Sequence, residues 1–273
     1  MARPIDLPDF EAPPIDEVAI GVQFVSPIDG FVDPHAGLFW QSVKDRYPRA
    51  ESHSRVEALP QPFTALPNFA SPFGFPFSPS AGSRTFLITE DDAYLLQLQN
   101  NRFFRNWRRR QPDYPHFEAL SESFLEEFSA FRAFLQREGL QEKPIGLFEV
   151  TYINWITDLT MPQFLRPAAA VDLETDGIDK WPENQNWQAV YECKGGSKDA
   201  VARLATQCAP AARTTDQGVE QGTQFAFTFS HPGAPVIDAE RIPDLLISAQ
   251  RYIVRSFTQL TTPSAHKTWQ RIQ

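Results

Sequence analysis

The stretch FEALSESFLEEFSAFRAFLQREG, residues 117–139, decides the fold. Phe117, Leu120, Phe124, Leu125, Phe128, Phe131, Phe134 and Leu135 recur at three- and four-residue spacing, which predicts an amphipathic helix over Phe117 to Glu138. Gly139 stands where the chain must leave the helix in a left-handed turn. The stripe is unusually aromatic, and each fully buried Phe contributes about 1.5–3 kcal/mol, so this helix is expected to anchor the core.

Upstream, Glu17 to Val25 alternates, with Val18, Ile20, Val22 and Phe24 on one side and Ala19, Gly21 and Gln23 on the other, the pattern of a half-buried strand. Asp33-Pro34 starts a short helix that Pro48 ends. Arg84 to Thr89 and Tyr94 to Phe104 read as a hairpin around the acidic turn Glu90-Asp91-Asp92. Downstream come a strand from Ile145 to Ile156, a proline-broken connector from Thr157 to Pro182, and strands at Trp187 to Cys193, Val201 to Cys208 and Thr223 to Ser230. The turn Lys194-Gly195-Gly196-Ser197-Lys198 joins the first two of these, and a long helix runs from Ile242 to Leu260 before a short one from Pro263.

The order strand, helix or connector, three strands, long helix thus occurs twice. The expected fold is α+β: duplicated units forming an antiparallel curved sheet with long helices on one face. Residues 1–14, acidic and proline-spaced, are expected as a flexible arm before a single domain of two related halves, 15–139 and 140–273.

Composition narrows the function classes. No apolar run reaches the eighteen residues of a membrane helix, and two prolines and an acid occupy the first eight positions, where a secretory signal needs an apolar run. A soluble, cytoplasmic protein is expected. The net charge of −9 repels phosphate backbones and anionic membranes over most of the surface, so any nucleic-acid contact must be local. Cys193 and Cys208 form no CxxC pair, and His35, His53, His116, His231 and His266 are scattered. No Gly-x-Ser-x-Gly elbow, phosphate-binding loop or Gly-x-Gly-x-x-Gly is present, and neither a cofactor nor a metal is expected.

Four features carry candidate chemistry. The block Asn100 to Arg110 places Arg102, Arg105, Arg108, Arg109 and Arg110 among Phe103, Phe104 and Trp107, leaving the rest of the chain near −14. Guanidinium forks bind carboxylate or phosphate, and aromatic faces stack on bases, so the block suits a protein partner or, alternatively, single-stranded nucleic acid. The bland reading is a strand end with Phe103 and Trp107 turned inward and the arginines paired with acids such as Glu118, Glu122 and Glu126. Residues 60–83 hold six prolines and five phenylalanines, and of these Phe69, Phe73 and Phe75 are candidate partner contacts, unless the rings cover the chain's own body.

Glu192 and Lys194 on a strand, with Asp176 upstream, have the Asp…Glu-x-Lys form of a metal-dependent nuclease, in which carboxylates hold a divalent ion and the lysine steadies the attacking water. Such spacing also arises by chance on any strand with one wet side. Tyr152, Asn154 and Trp155 are candidate walls of a small-ligand site in the sheet's concavity.

Several blocks together resemble a known family. Pro13-Pro14-Ile15-Asp16-Glu17-Val18, Leu95-Leu96-Gln97-Leu98-Gln99 with Arg102-Phe103 and Asn106-Trp107-Arg108, Glu149-Val150-Thr151-Tyr152-Ile153-Asn154 and the closing Leu260-Thr261-Thr262-Pro263, His266 and Trp269 are similar to a sporadically distributed family of uncharacterised bacterial proteins. The resemblance covers almost the whole chain and brings no activity or ligand with it. It implies a single bacterial unit whose patchy distribution is similar to that of mobile or defence-associated genes. The leading expectation is a non-enzymatic binding or accessory protein that recognises a macromolecular partner, with no membrane involved.

Overall fold

The computed structural model describes residues 6–55, 83–168, 185–193, 201–215 and 218–273. Among them the chain forms β1 (Ile15–Phe24), α1 (Asp33–Val43), β2 (Arg49–Ser54), β3 (Ser83–Ile88), β4 (Tyr94–Gln99), β5 (Arg102–Arg108) and α2 (His116–Arg137). There follow β6 (Ile145–Ile156), α3 (Met161–Phe164), β7 (Trp187–Glu192), β8 (Arg203–Thr215), β9 (Gly218–Ile237), α4 (Ile242–Leu260) and α5 (Pro263–Thr268). The fold is α+β. Nine strands make one open antiparallel sheet in the order β2-β3-β4-β5-β1-β6-β9-β8-β7, so β1 and β6 are neighbours at its centre. No helix among the described residues is long and apolar enough to cross a membrane.

The alternation read in β1 becomes the core: Val18, Ile20, Val22 and Phe24 are each at most 2% exposed. Register carries that row across the centre, with Val18 opposite Trp107 on β5 and Tyr152 on β6, and Tyr152 in turn opposite Phe227 on β9. The aromatic stripe of α2 meets the same row set. Phe103 lies 5.0 Å from the Phe131 ring and 5.6 Å from Phe128, and Phe117 lies 5.7 Å from Tyr152. On α4, Phe257 reaches Phe225 and Phe227. Gly139 follows α2 with φ +67°, as its position predicts.

Strand β2 is not among the expected elements, and two further differences bear on the site. The strand expected from Tyr94 to Phe104 is two strands, because the chain reverses at Asn100-Asn101 and places Gln99 opposite Arg102. Asn tolerates the backbone of a two-residue hairpin, and Gln99 Nε2 donates to Asn101 Oδ1 at 2.8 Å, which ties the turn to its own strand. The arginine block therefore becomes β5, a strand flanked on both sides, rather than a strand end. The second difference is the expected arm. From Leu7, which is fully buried, to Ala12 it runs against the C-terminal segment, with Phe10 beside Phe257 and His266. Four backbone hydrogen bonds hold it: Asp9 N to Gln273 O, Glu11 N to Gln270 O, Ala12 N to Trp269 O and Ile272 N to Asp9 O.

Candidate functional site

Side chains on a strand alternate, so the residues between the core-facing ones emerge on the other side of the sheet. At the centre these form polar rows. Arg108 stands beside Glu17; Asn106, Ala19, Thr151 and Thr228 follow one another; and Phe104, Gly21, Glu149 and Ser230 make the next row. The backbone tolerates the last row because position 21 is glycine: a Cβ there would sit 2.3 Å from the Phe104 ring.

A hydrogen-bond relay runs across the rows. Arg84 Nη1 donates to Gln97 Oε1 at 3.3 Å, Gln97 Nε2 to Asn106 Oδ1 at 2.7 Å, and Asn106 Nδ2 to Glu17 Oε1 at 2.5 Å. Burial pushes Glu17 up to about 7, against the opposing pull of the Asn106 bond and the Arg108 charge. Glu149, also buried, is pushed up to about 6 by the same cause, with the Arg102 guanidinium pulling the other way. Perturbed carboxylates in one region mark a candidate site. Glu149 pairs with Gly21, four residues along β1 from Glu17, so the backbone positions of the two are about 13 Å apart at 3.3 Å per residue.

The five arginines of the block go to different places. Arg102 is buried and donates to Gln23 Oε1 at 2.7 Å. Arg105 is on the core side, where its guanidinium lies 4.6 Å from the Tyr94 ring and close to Tyr47. Tyr47 in turn donates to the buried Glu127 of α2 at 3.1 Å, which also accepts from Arg46. Arg109 caps three backbone carbonyls, those of Ile15, Pro13 and Pro112. Only Arg108 and Arg110 converge, on Asp92, where Arg49 from β2 joins them. Burial opposes the charge of Asp92, but the Arg110 bond and the Arg108 and Arg110 charges hold its carboxyl below the usual range. Trp107 is buried 5.3 Å from Tyr114, and Phe103 lies under α2, so neither offers a face to solvent.

The acids proposed for the block, Glu118, Glu122 and Glu126, form none of the ion pairs just described; Glu118 instead accepts from Gln250. Alternation also splits the candidate ligand walls. Tyr152 and Asn154 face the core and line a cavity, while Trp155 faces the other way, donates to Glu220 Oε2 at 3.0 Å and carries Arg213 over its ring. Glu192 is exposed at the end of edge strand β7, opposite Arg203. Lys194, Asp176, Phe69, Phe73 and Phe75 lie outside the described residues. Among the described residues no group of three or more His, Cys, Asp or Glu is placed to hold a metal ion.

Sequence reasoning did not single out Glu17, Gln97, Asn106, Glu149 or Asp92 as site residues. The available signal was polar residues at wet-side positions of strands that have neighbours on both sides. Compared with models of known protein families, with curated proteins and with solved structures, the chain matches none.

Proposed function

We propose that the chain is a binding or accessory protein that recognises a macromolecular partner, and that it works through the Arg49, Arg108 and Arg110 cluster at the end of the polar rows. The observation that carries this reading is that one carboxylate, Asp92, gathers three guanidinium groups. Arg49 and Arg110 keep 47% and 39% of their side chains exposed, so donors remain for an incoming acid. Guanidinium forks suit a carboxylate-bearing protein segment. On a chain of net charge −9 such a local cluster discriminates between partners rather than attracting polyanions at large.

The scaffold we propose consists of two related halves, 15–139 and 140–273, with a curved sheet and the long helices on one face. The contacts of α2 with Phe103 and of α4 with Phe227 support it. So does the central position of each half's first strand, β1 and β6. The family resemblance goes with an accessory role in a bacterial defence or mobile-element context.

The test is chemical cross-linking of the intact protein in native lysate, with identification of the linked chains. Replacing Arg49 and Arg110 by alanine should remove a stoichiometric partner while leaving the fold unchanged. A partner set indifferent to the double substitution would sink the reading. Loss of the partner on nuclease treatment would instead favour the single-stranded nucleic-acid alternative.

A further inference from the structure

The open sheet ends in two edge strands, β2 and β7, and they differ in kind. β2 carries Arg49, Glu51 and His53 within its six residues, and charges along an edge keep other strands from adding to it. β7 reads Trp187-Gln188-Ala189-Val190-Tyr191-Glu192, with neither proline nor glycine and with its one charge at the end. Val190 and Tyr191 are 46% and 42% exposed, and Gln188 and Glu192 are exposed as well. In an antiparallel ladder, alternate residues turn their backbone groups toward one neighbour or the other. Cys193 N donates to Ala202 O, so Trp187, Ala189 and Tyr191 likewise turn theirs toward β8. Gln188, Val190 and Glu192 therefore aim their N–H and C=O groups away from β8, where no strand pairs with them among the described residues.

We infer that β7 is the edge through which two copies of this chain pair, antiparallel about a two-fold axis at Val190, so that their sheets become one. The open backbone groups choose the axis. Centred on Val190, it joins Val190 to its own copy and Gln188 to the second copy's Glu192, and the reverse, so every outward residue is engaged. An axis through Ala189 or Tyr191 leaves one of them out. The side chains fit the same register. On the polar side of the sheet each Gln188 amide, a donor, meets the opposite Glu192 carboxylate, an acceptor, while the two Val190 side chains cover each other. Trp187, with its ring 6.4 Å from Phe225, marks the core side, which Ala189 and Tyr191 share. There the exposed Tyr191 stands opposite the small Ala189 of the second copy. Copies of net charge −9 repel at a distance, and one strand pair covers less than the roughly 1,200 Å² of a standard interface, so the dimer should dissociate at about 10–100 µM.

Sedimentation velocity on the full chain, from about 1 µM to about 1 mM, tests the pairing and should show a reversible monomer–dimer equilibrium. Val190→Pro removes an N–H that points away from β8, so it leaves that ladder intact and should weaken the dimer about tenfold or more. Gln188→Lys sets opposite charges across the axis and should tighten the dimer about fivefold, whereas Gln188→Glu sets acid against acid and should weaken it by a similar factor. Ser52→Lys makes the same charge change on β2 and should leave association as it was. Should Val190→Pro fail to fold, the two Gln188 variants, altered at an exposed side chain, still read the register. A chain that stays monomeric at the highest concentration, a dimer indifferent to Val190→Pro, or Gln188 variants that shift it in the same direction would each overturn the assignment. So would Ser52→Lys tightening it as much as Gln188→Lys.

Discussion

The two sides of the central strands are built on different physics. On the core side, Phe103, Tyr152 and Phe227 meet rings from α2 and α4, and their contribution scales with area removed from water. On the other side, half-buried Gln97 on β4 and buried Asn106 and Glu17 on β5 and β1 are held by directed hydrogen bonds. Area tolerates imprecise replacement; a buried relay does not, since each member removed leaves its neighbour unmet. The comparison teaches that stability and positional definition are drawn from opposite sides of one sheet.

That contrast can be broken from either side. Phe131 touches Phe31, Phe39 and Phe103 in a fully buried setting, so Phe131→Ala should cost about 3–5 kcal/mol in chemical denaturation. A loss under 1 kcal/mol would mean that the aromatic side does not carry the fold. Asn106→Ala removes the donor that faces Glu17 and should cost about 1–3 kcal/mol, with the Glu17 carboxyl rising further. The rise is readable by carbon-13 NMR of the carboxyl.

Glu17 sharpens the contrast through pH. Its folded value, about 7, exceeds the ordinary 4.5, so between those limits the native state holds a proton that the unfolded chain has lost. Its contribution is fully present below pH 4.5 and is lost as pH rises toward 7. Glu17→Gln should therefore flatten the stability curve over that window and raise stability at pH 8 by about 1–3 kcal/mol, at 1.36 kcal/mol per unit. A variant curve parallel to the original would refute the buried-carboxylate account. The smallest effect belongs to Arg110→Ala, whose exposed pair with Asp92 should contribute under about 1 kcal/mol to unfolding, even though partner capture depends on it.

Much of the fold was legible because long periodic segments declare themselves: the strand at Ile145 to Ile156 and the helix at Ile242 to Leu260 fall where their patterns put them. β2 was not, since Arg49 to Ser54 has no apolar alternation and exists by pairing with β3, with His53 lying 4.2 Å from the Phe86 ring. The arginine block shows the deeper difficulty. Its residue types suit either recognition or internal pairing, and the Asn100-Asn101 reversal decides between them by placing β5 between β4 and β1. Partnership across a sheet is a tertiary fact, and local pattern does not encode which acid or carbonyl a guanidinium will meet. Among the candidate ligand walls, period two alone separates Tyr152 and Asn154 from Trp155.

The clasp between residues 9–12 and 269–273 has a consequence for motion. Asp9 and Ile272 share backbone bonds, and Phe10 between them forms part of the cavity wall, so the two chain segments cannot loosen separately. Amide protons of Glu11 and Ile272, far apart in sequence, should then exchange with solvent deuterium through one shared opening, at a common rate.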